Sequence, residues 1–115
     1  MTAPPPSRPD SGDSFRDIFD ALRDPLRRRI LSELAIRTSS PDEAIELHDV
    51  VGDESDSAHL RVELHHVHLP RLDEAGFITW DSETNTITRG PRFEEIRPVI
   101  ALFHDHQDDL PHDWL

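Results

Sequence analysis

The 115-residue chain contains no cysteine and no lysine. Without cysteine there are no disulfides, no thiolate metal sites and no cysteine nucleophile. Four glycines leave little material for a phosphate-cradling loop. No nucleophile elbow, Walker loop, HExxH or dinucleotide fingerprint occurs. Carboxylate pairs are everywhere in so acidic a chain, so none is informative. The expectation is a non-enzyme with no catalytic residue and no cofactor. No apolar run approaches the roughly 18 residues of a membrane span. The segment Met1 to Asp13 lacks a signal peptide's apolar core. A soluble cytoplasmic protein with no membrane partner is expected.

The missing lysine shapes the charge. All 12 basic residues are arginine, against 24 acids, for a net charge of −12. An acid-rich, lysine-free surface resembles proteins of salt-loving archaea; a GC-rich genome coding Arg for Lys is the alternative. In molar salt the Debye length falls to about 3 Å. There a charge of −12 leaves a nucleic-acid partner open, whereas in dilute buffer it weighs heavily against one. The charge is also unevenly spread. Residues 1–40 carry seven Arg and six acids, and residues 41–115 carry five Arg and eighteen acids. Arg23, Arg27, Arg28, Arg29 and Arg37 make the only basic patch. It offers phosphate contact, or pairing within the chain to Asp20, Asp24 and Glu33, which is expected for at least two of the five.

Three parts are expected: a Pro-rich disordered tail (1–13), one domain (14–104) and an acidic tail (105–115). Ser14 is placed to cap a first helix with Phe15, Ile18, Phe19 and Leu22 on one face. Asp24-Pro25 opens a second helix, with Leu26, Ile30, Leu31 and Leu34 facing inward. Thr38 to Asp42 is a loop. Ile45 to Val51 reads as more helix than strand. A long helix follows, capped by Asp56 or Ser57 and stopped after Ala75 by Gly76 in the left-handed conformation. Phe77–Trp80 and Thr86–Arg89 form a hairpin. Pro91 opens a last helix with Phe93, Ile96, Ile100 and Phe103, and Pro98 predicts a kink or restart inside it.

The resulting plan is mainly α with a small β-hairpin, a winged helix-turn-helix. Ala21 to Leu34, ALRDPLRRRILSEL, resembles the opening of ArsR-type winged-helix regulators. Leu64 to Ile78, LHHVHLPRLDEAGFI, is similar to the end of their recognition helix and its turn into the wing. His68-Leu69, Leu72, Ala75-Gly76 and Phe77-Ile78 match that pattern position by position. The His65–Pro70 run is closer to a haloarchaeal branch of the same fold. The resemblance implies a DNA-binding transcriptional regulator, a homodimer through the first and last helices, and DNA read by the long helix. The chain departs from the family in lacking its cysteine metal-sensing motif and a basic recognition helix.

A wheel of the long helix at about 100° per residue puts Ala58, Val62, Leu69 and Leu72 on one arc. Leu60, Leu64 and Val67 fall on another, nearly opposite. The polar arc between them carries His59, Glu63, His66, Pro70, Asp73 and Glu74, with Arg61 and Arg71 flanking. Two readings stay open: an unusual DNA face, or a helix buried on two sides, one against its own domain and the other against a dimer mate, a partner protein or the wing. The DNA candidates are Arg27, Arg28, His59, Arg61, Glu63, His66 and Arg89. Arg92 and Arg97 also lie behind the hairpin, whose tip, with Asp81 and Glu83, is a poor minor-groove probe. The apolar stripes Phe15, Ile18, Phe19, Leu22 and Phe93, Ile96, Ile100, Phe103 are the dimer candidates. The spacings His65/His68 and His104/Asp108 suit Zn²⁺ or Ni²⁺. No third ligand follows at helical spacing except His112, so no metal is expected. The second function class is a winged-helix protein–protein interaction module without DNA binding.

Overall fold

The computed structural model describes residues 10–51 and 58–109. Helices α1 (Asp10–Leu22) and α2 (Pro25–Arg37) lead into a two-residue strand β1 (Ile45–Glu46) and a short helix α3 (Leu47–Val51). A composite helix follows: α4 (Ala58–Glu63), a π-helical turn (Leu64–His68) and α5 (Leu69–Ala75). Strands β2 (Ile78–Asp81) and β3 (Thr86–Arg89), helix α6 (Phe93–Asp105) and a 3₁₀ turn (Gln107–Asp109) complete the order. The fold is mainly helical with a small antiparallel sheet, ordered β1-β3-β2.

The opening of α2 forms as its sequence predicts. Asp24 Oδ1 accepts hydrogen bonds from the Leu26 and Arg27 amides at 2.8 and 3.3 Å. Pro25 occupies the first turn, where its missing N–H is no loss. Leu26, Ile30, Leu31 and Leu34 are all buried. At the end of α5, Gly76 adopts φ +86°, and its N–H and that of Phe77 reach back to Leu72 and Asp73 carbonyls. That left-handed turn favours glycine because a Cβ would clash with the backbone. Gly90 is required for a different reason. A Cβ there would lie 2.3 Å from the Gly76 oxygen and 2.7 Å from the Ile78 amide. The chain entering α6 therefore crosses the α5–β2 corner in near-contact, tied by Arg92 N–H to Gly76 O at 2.7 Å.

Strand β3 is central. Ile87 faces Ile45 on one side and Trp80 on the other, and is fully buried. The core joins Ile30, Leu31 and Leu34 of α2 to Val50 and Val51 of α3, Leu64, Leu69 and Leu72 of the composite helix, and Phe93 and Ile96 of α6.

Four local expectations are corrected. Helix α1 includes Asp10–Asp13, so Ser14 lies inside it and is not its cap; the rest of the expected tail, 1–9, is outside the described residues. The segment from Ile45 divides, its first two residues pairing with β3. That pairing covers an edge of β3 which local helix propensity does not sense. Helix α6 starts at Phe93 and continues through Pro98 without a restart. Proline leaves the Glu94 carbonyl without its helical donor, and both residues are exposed. Asp105 ends α6 and 107–109 form the 3₁₀ turn, while 110–115 lie outside the described residues, as do the expected caps Asp56 and Ser57.

Candidate nucleic-acid interface

The composite helix owes its π turn to Pro70. Pro70 has no N–H to give the His66 carbonyl, and its ring would crowd that carbonyl in a regular helix. The chain widens just before it, and Leu69 N–H bonds to Leu64 O, five residues back. A π turn holds more residues per turn than the fixed wheel assumes. Residues beyond it are therefore rotated relative to that wheel. Leu64, His68, Leu69 and Leu72 share the buried side, whereas Val62 and Val67 are 57% and 43% exposed. Ala58 is exposed as well. Within the chain the helix is thus buried on one side, and the two opposed apolar arcs do not hold.

The outer face carries exposed His59, Arg61, Val62, His66 and Val67. His59 Nε2 lies 3.3 Å from Glu63 Oε1, so one candidate acid is held by one candidate histidine. Among the described residues Arg61 makes no ion pair, and neither it nor His66 is drawn toward the core. His65 and His68 do not converge. His65 turns toward the hairpin, its Nδ1 2.9 Å from Arg61 O and its Nε2 3.3 Å from Asn85 Oδ1, with its ring edge-on to Trp80. His68 is buried, with Asp24 and Glu63 carboxylates 3.8 and 3.9 Å from its Nε2. Among the described residues no group of three or more His, Asp or Glu is placed to hold a metal ion. His104 and Asp108 are exposed, and His112 lies outside the described residues.

The arginine patch is largely internal. Arg27 is 4% exposed and its Nη1 donates to Asp20 Oδ2 at 3.2 Å. Asp20 also accepts from Arg71 of α5 and pairs with Arg23. Arg28 is 8% exposed and donates to the Leu22 carbonyl at 2.6 Å. Arg37 pairs with Glu33. Arg27 and Arg28 are therefore not phosphate contacts; they close the α1–α2 corner. Arg89 is corrected in the same way. Its guanidinium donates to the Thr38 hydroxyl and carbonyl at 2.9 and 2.6 Å and to Glu94, and it lies over the Phe93 ring. It bolts β3 to the end of α2. Arg92 is anchored by Glu95, Asp17 and the Ala75 carbonyl. The hydrogen bonds to Glu95, foremost, and to Asp17 push its pKa further up against the desolvation of burial. Arg97 pairs with Glu94.

The hairpin tip is acidic and folded onto itself. Asp81 Oδ1 accepts the Glu83 and Thr84 amides. Asn85 takes φ +57°, and its carbonyl accepts the Leu47 amide of α3. Asn85 organises this end of β3 and Thr38, through Arg89, the other end, yet the sequence marks only Asn85, as a residue type that tolerates a left-handed turn.

The proposed dimer stripes are also revised. Ile18, Leu22, Phe93, Ile96 and Ile100 are buried in the chain's own core, because α2 packs against both α1 and α6 and covers them. What stays outside is Phe15 and Phe19, 62% and 65% exposed and stacked 6.2 Å apart, with Leu102 and half-buried Phe103 of α6.

A family model described as a domain of unknown function, DUF7344, matches residues 19–88. The chain belongs to this family. The DUF7344 span runs from Phe19 in α1 to Thr88 in β3 and so takes in the α1–α2 corner, the composite helix and the hairpin; α6 lies beyond it. Neither the curated proteins nor the solved structures give a match.

Proposed function

We propose that the chain is a DNA-binding transcriptional regulator of ArsR-like winged-helix type, working as a homodimer in a salt-rich cytoplasm. The observation that carries this reading is topological. A three-stranded β1-β3-β2 sheet, with α3 and the composite helix inserted between β1 and β2, is compatible with a winged helix-turn-helix and supports this reading. In it α3 and the composite helix are the turn-helix pair, and the β2–β3 hairpin is the wing.

The reading surface is then the outer face of α4 and the π turn. Arg61 serves phosphate, and His59 and His66 serve base edges. The wing, acidic at its tip, stays clear of the phosphates. Phe15 and Phe19, with Phe103 of α6 beside Phe19, form the face offered to the second copy, an apolar patch suited to two-fold pairing. The test is selection of bound genomic fragments in about 2 M KCl, where screening is nearly complete, followed by footprinting. Recovery of a palindrome protected on both halves is expected; fragments recovered at random contradict the regulator.

A second reading rests on a specific observation. Arg27, Arg28 and Arg89 are consumed inside the fold, and Val62 and Val67 stand exposed beside His66. That face suits a protein partner as an interaction module without DNA binding. Pull-down in molar salt with the Val67→Asp variant as control tests it: a partner lost with this substitution supports the module.

A further inference from the structure

The outer face of α4 and the π turn carries little fixed charge. Exposed Arg61 supplies one cation and half-buried Glu63 one anion. While the imidazoles are neutral these two cancel, and a face without net charge has little electrostatic hold on a phosphate backbone. The other ionisable groups of Ala58–His68 are all histidines. His65 turns to the hairpin, between the Arg61 carbonyl and Asn85 Oδ1, and His68 is buried. His59 and His66 remain exposed on the face. His59 Nε2 lies 3.3 Å from Glu63 Oε1, and His68 Nε2 lies 3.9 Å from the other oxygen of the same carboxylate. From the α2 opening, Asp24 and Arg29 border the recess that Glu63 and His68 also line. On α5, Asp73 accepts the Trp80 amide and Glu74 is exposed. Asp53, Glu54 and Asp56, ahead of α4, lie outside the described residues.

We propose that DNA binding at this face is gated by protons on His59 and His66. The proposal rests on the DNA-binding reading and adds the regulation of that same surface. An imidazole takes up its second proton as pH falls through about 6.5, and it then donates from both ring nitrogens. At His66 the proton supplies a cation where the face needs one. At His59 it acts through Glu63: the contact becomes an ion pair, and the carboxylate that would repel phosphate is cancelled. Two protons therefore turn a face with no net charge into a positive one. The phosphates of a duplex favour imidazolium over imidazole, so binding takes up protons. By linkage the gain in affinity is present below the imidazole range and lost as pH rises through it. Arginine at these positions would hold its charge at every pH; histidine makes the charge conditional.

The test titrates the footprinted duplex with the full chain at about pH 6 and about pH 8, read by fluorescence anisotropy. The KCl concentration is the lowest at which circular dichroism shows the chain folded at both. Binding about tenfold or more tighter at the lower pH is expected, as one unit of raised proton affinity in the complex implies. His59→Gln and His66→Gln should each remove part of that gain, and the double variant should bring the two affinities within about twofold. His66→Arg should bind more tightly than the parent at the higher pH, because its charge is fixed. His104→Gln, on α6, should keep the full gain. DNA binding that is the same at both pH values, or a folded double variant that keeps the gain, overturns the proposal and leaves the regulator standing. No DNA binding at either pH overturns the regulator and the proposal with it.

Discussion

Arg89 shows how a basic side chain that looks available for DNA can be spent on structure. It gives two hydrogen bonds to Thr38, 51 positions away in sequence, and one to Glu94, and its guanidinium covers Phe93. Arg89→Ala should lower stability by about 2–3 kcal/mol, since a part-buried hydrogen-bond cluster loses its donor. Arg89→Lys should recover less than half, because a point charge cannot fill the fork. Urea unfolding in constant salt checks both; an alanine variant as stable as the parent would restore Arg89 as a free cation. Gly90 is as exacting on the backbone side. Any Cβ there collides with the Gly76 carbonyl, and that carbonyl must also accept the Arg92 amide. Gly90→Ala should destabilise by roughly 2 kcal/mol or more through forced displacement of the α5–β2 corner. The same unfolding experiment reads it, and a neutral result would contradict the close crossing at this corner.

At the scale of elements, the apolar face of α1 carries the assembly argument. Phe15 and Phe19 stack on each other in the open while Ile18 and Leu22 turn inward. Phe15→Ser with Phe19→Ser should convert a dimer to a monomer with little change in melting temperature. Light scattering in molar salt reads the mass; a parent chain already monomeric at micromolar concentration would remove the dimer. The elements also show where sequence is a good guide. Asp24-Pro25, Gly76 and the polar Asp81–Asn85 turn are local signals, and their structures follow from local chemistry. Strand β1 is not local, since Ile45 is extended only because Ile87 is there to pair with it. The π turn escaped a wheel of constant pitch, although Pro70 is its visible cause. Likewise α1 and α6 each read as a full apolar stripe, but spacing alone cannot say which members α2 covers. In the arginine patch the expected pairing within the chain is present, Arg23 and Arg27 to Asp20 and Arg37 to Glu33, but Arg27 and Arg28 are buried as spacing alone does not show. Asp20 gathers Arg23 from the α1–α2 turn, Arg27 from α2 and Arg71 from α5, and only the fold brings Arg71 within reach.

For the whole molecule, charge decides the conditions under which anything else holds. The ion pairs at Asp20, Arg89 and Arg92 use a minority of the 24 acids, and residues 41–115 keep the excess. Self-repulsion in dilute buffer should loosen the hairpin and α6 first. Circular dichroism melting in about 3 M KCl should lie roughly 5–10 °C above that in 0.1 M, as 4–8 °C per kcal/mol implies for this size. Equal melting temperatures would remove the salt argument. No described helix is long and apolar enough to cross a membrane, and the family span from Phe19 to Thr88 contains the whole proposed reading surface. That surface is where the central claim is decided. Glu63 stands on it beside His59, so Glu63→Arg reverses its charge at one point. Titration of the selected duplex with parent and Glu63→Arg proteins, in the lowest KCl concentration at which both remain folded and read by fluorescence anisotropy, measures what the face meets. The DNA-binding account predicts tighter binding by the variant, since an added arginine gains a phosphate partner. Absence of DNA binding by both proteins, with a co-purified partner lost from the variant alone, would contradict it.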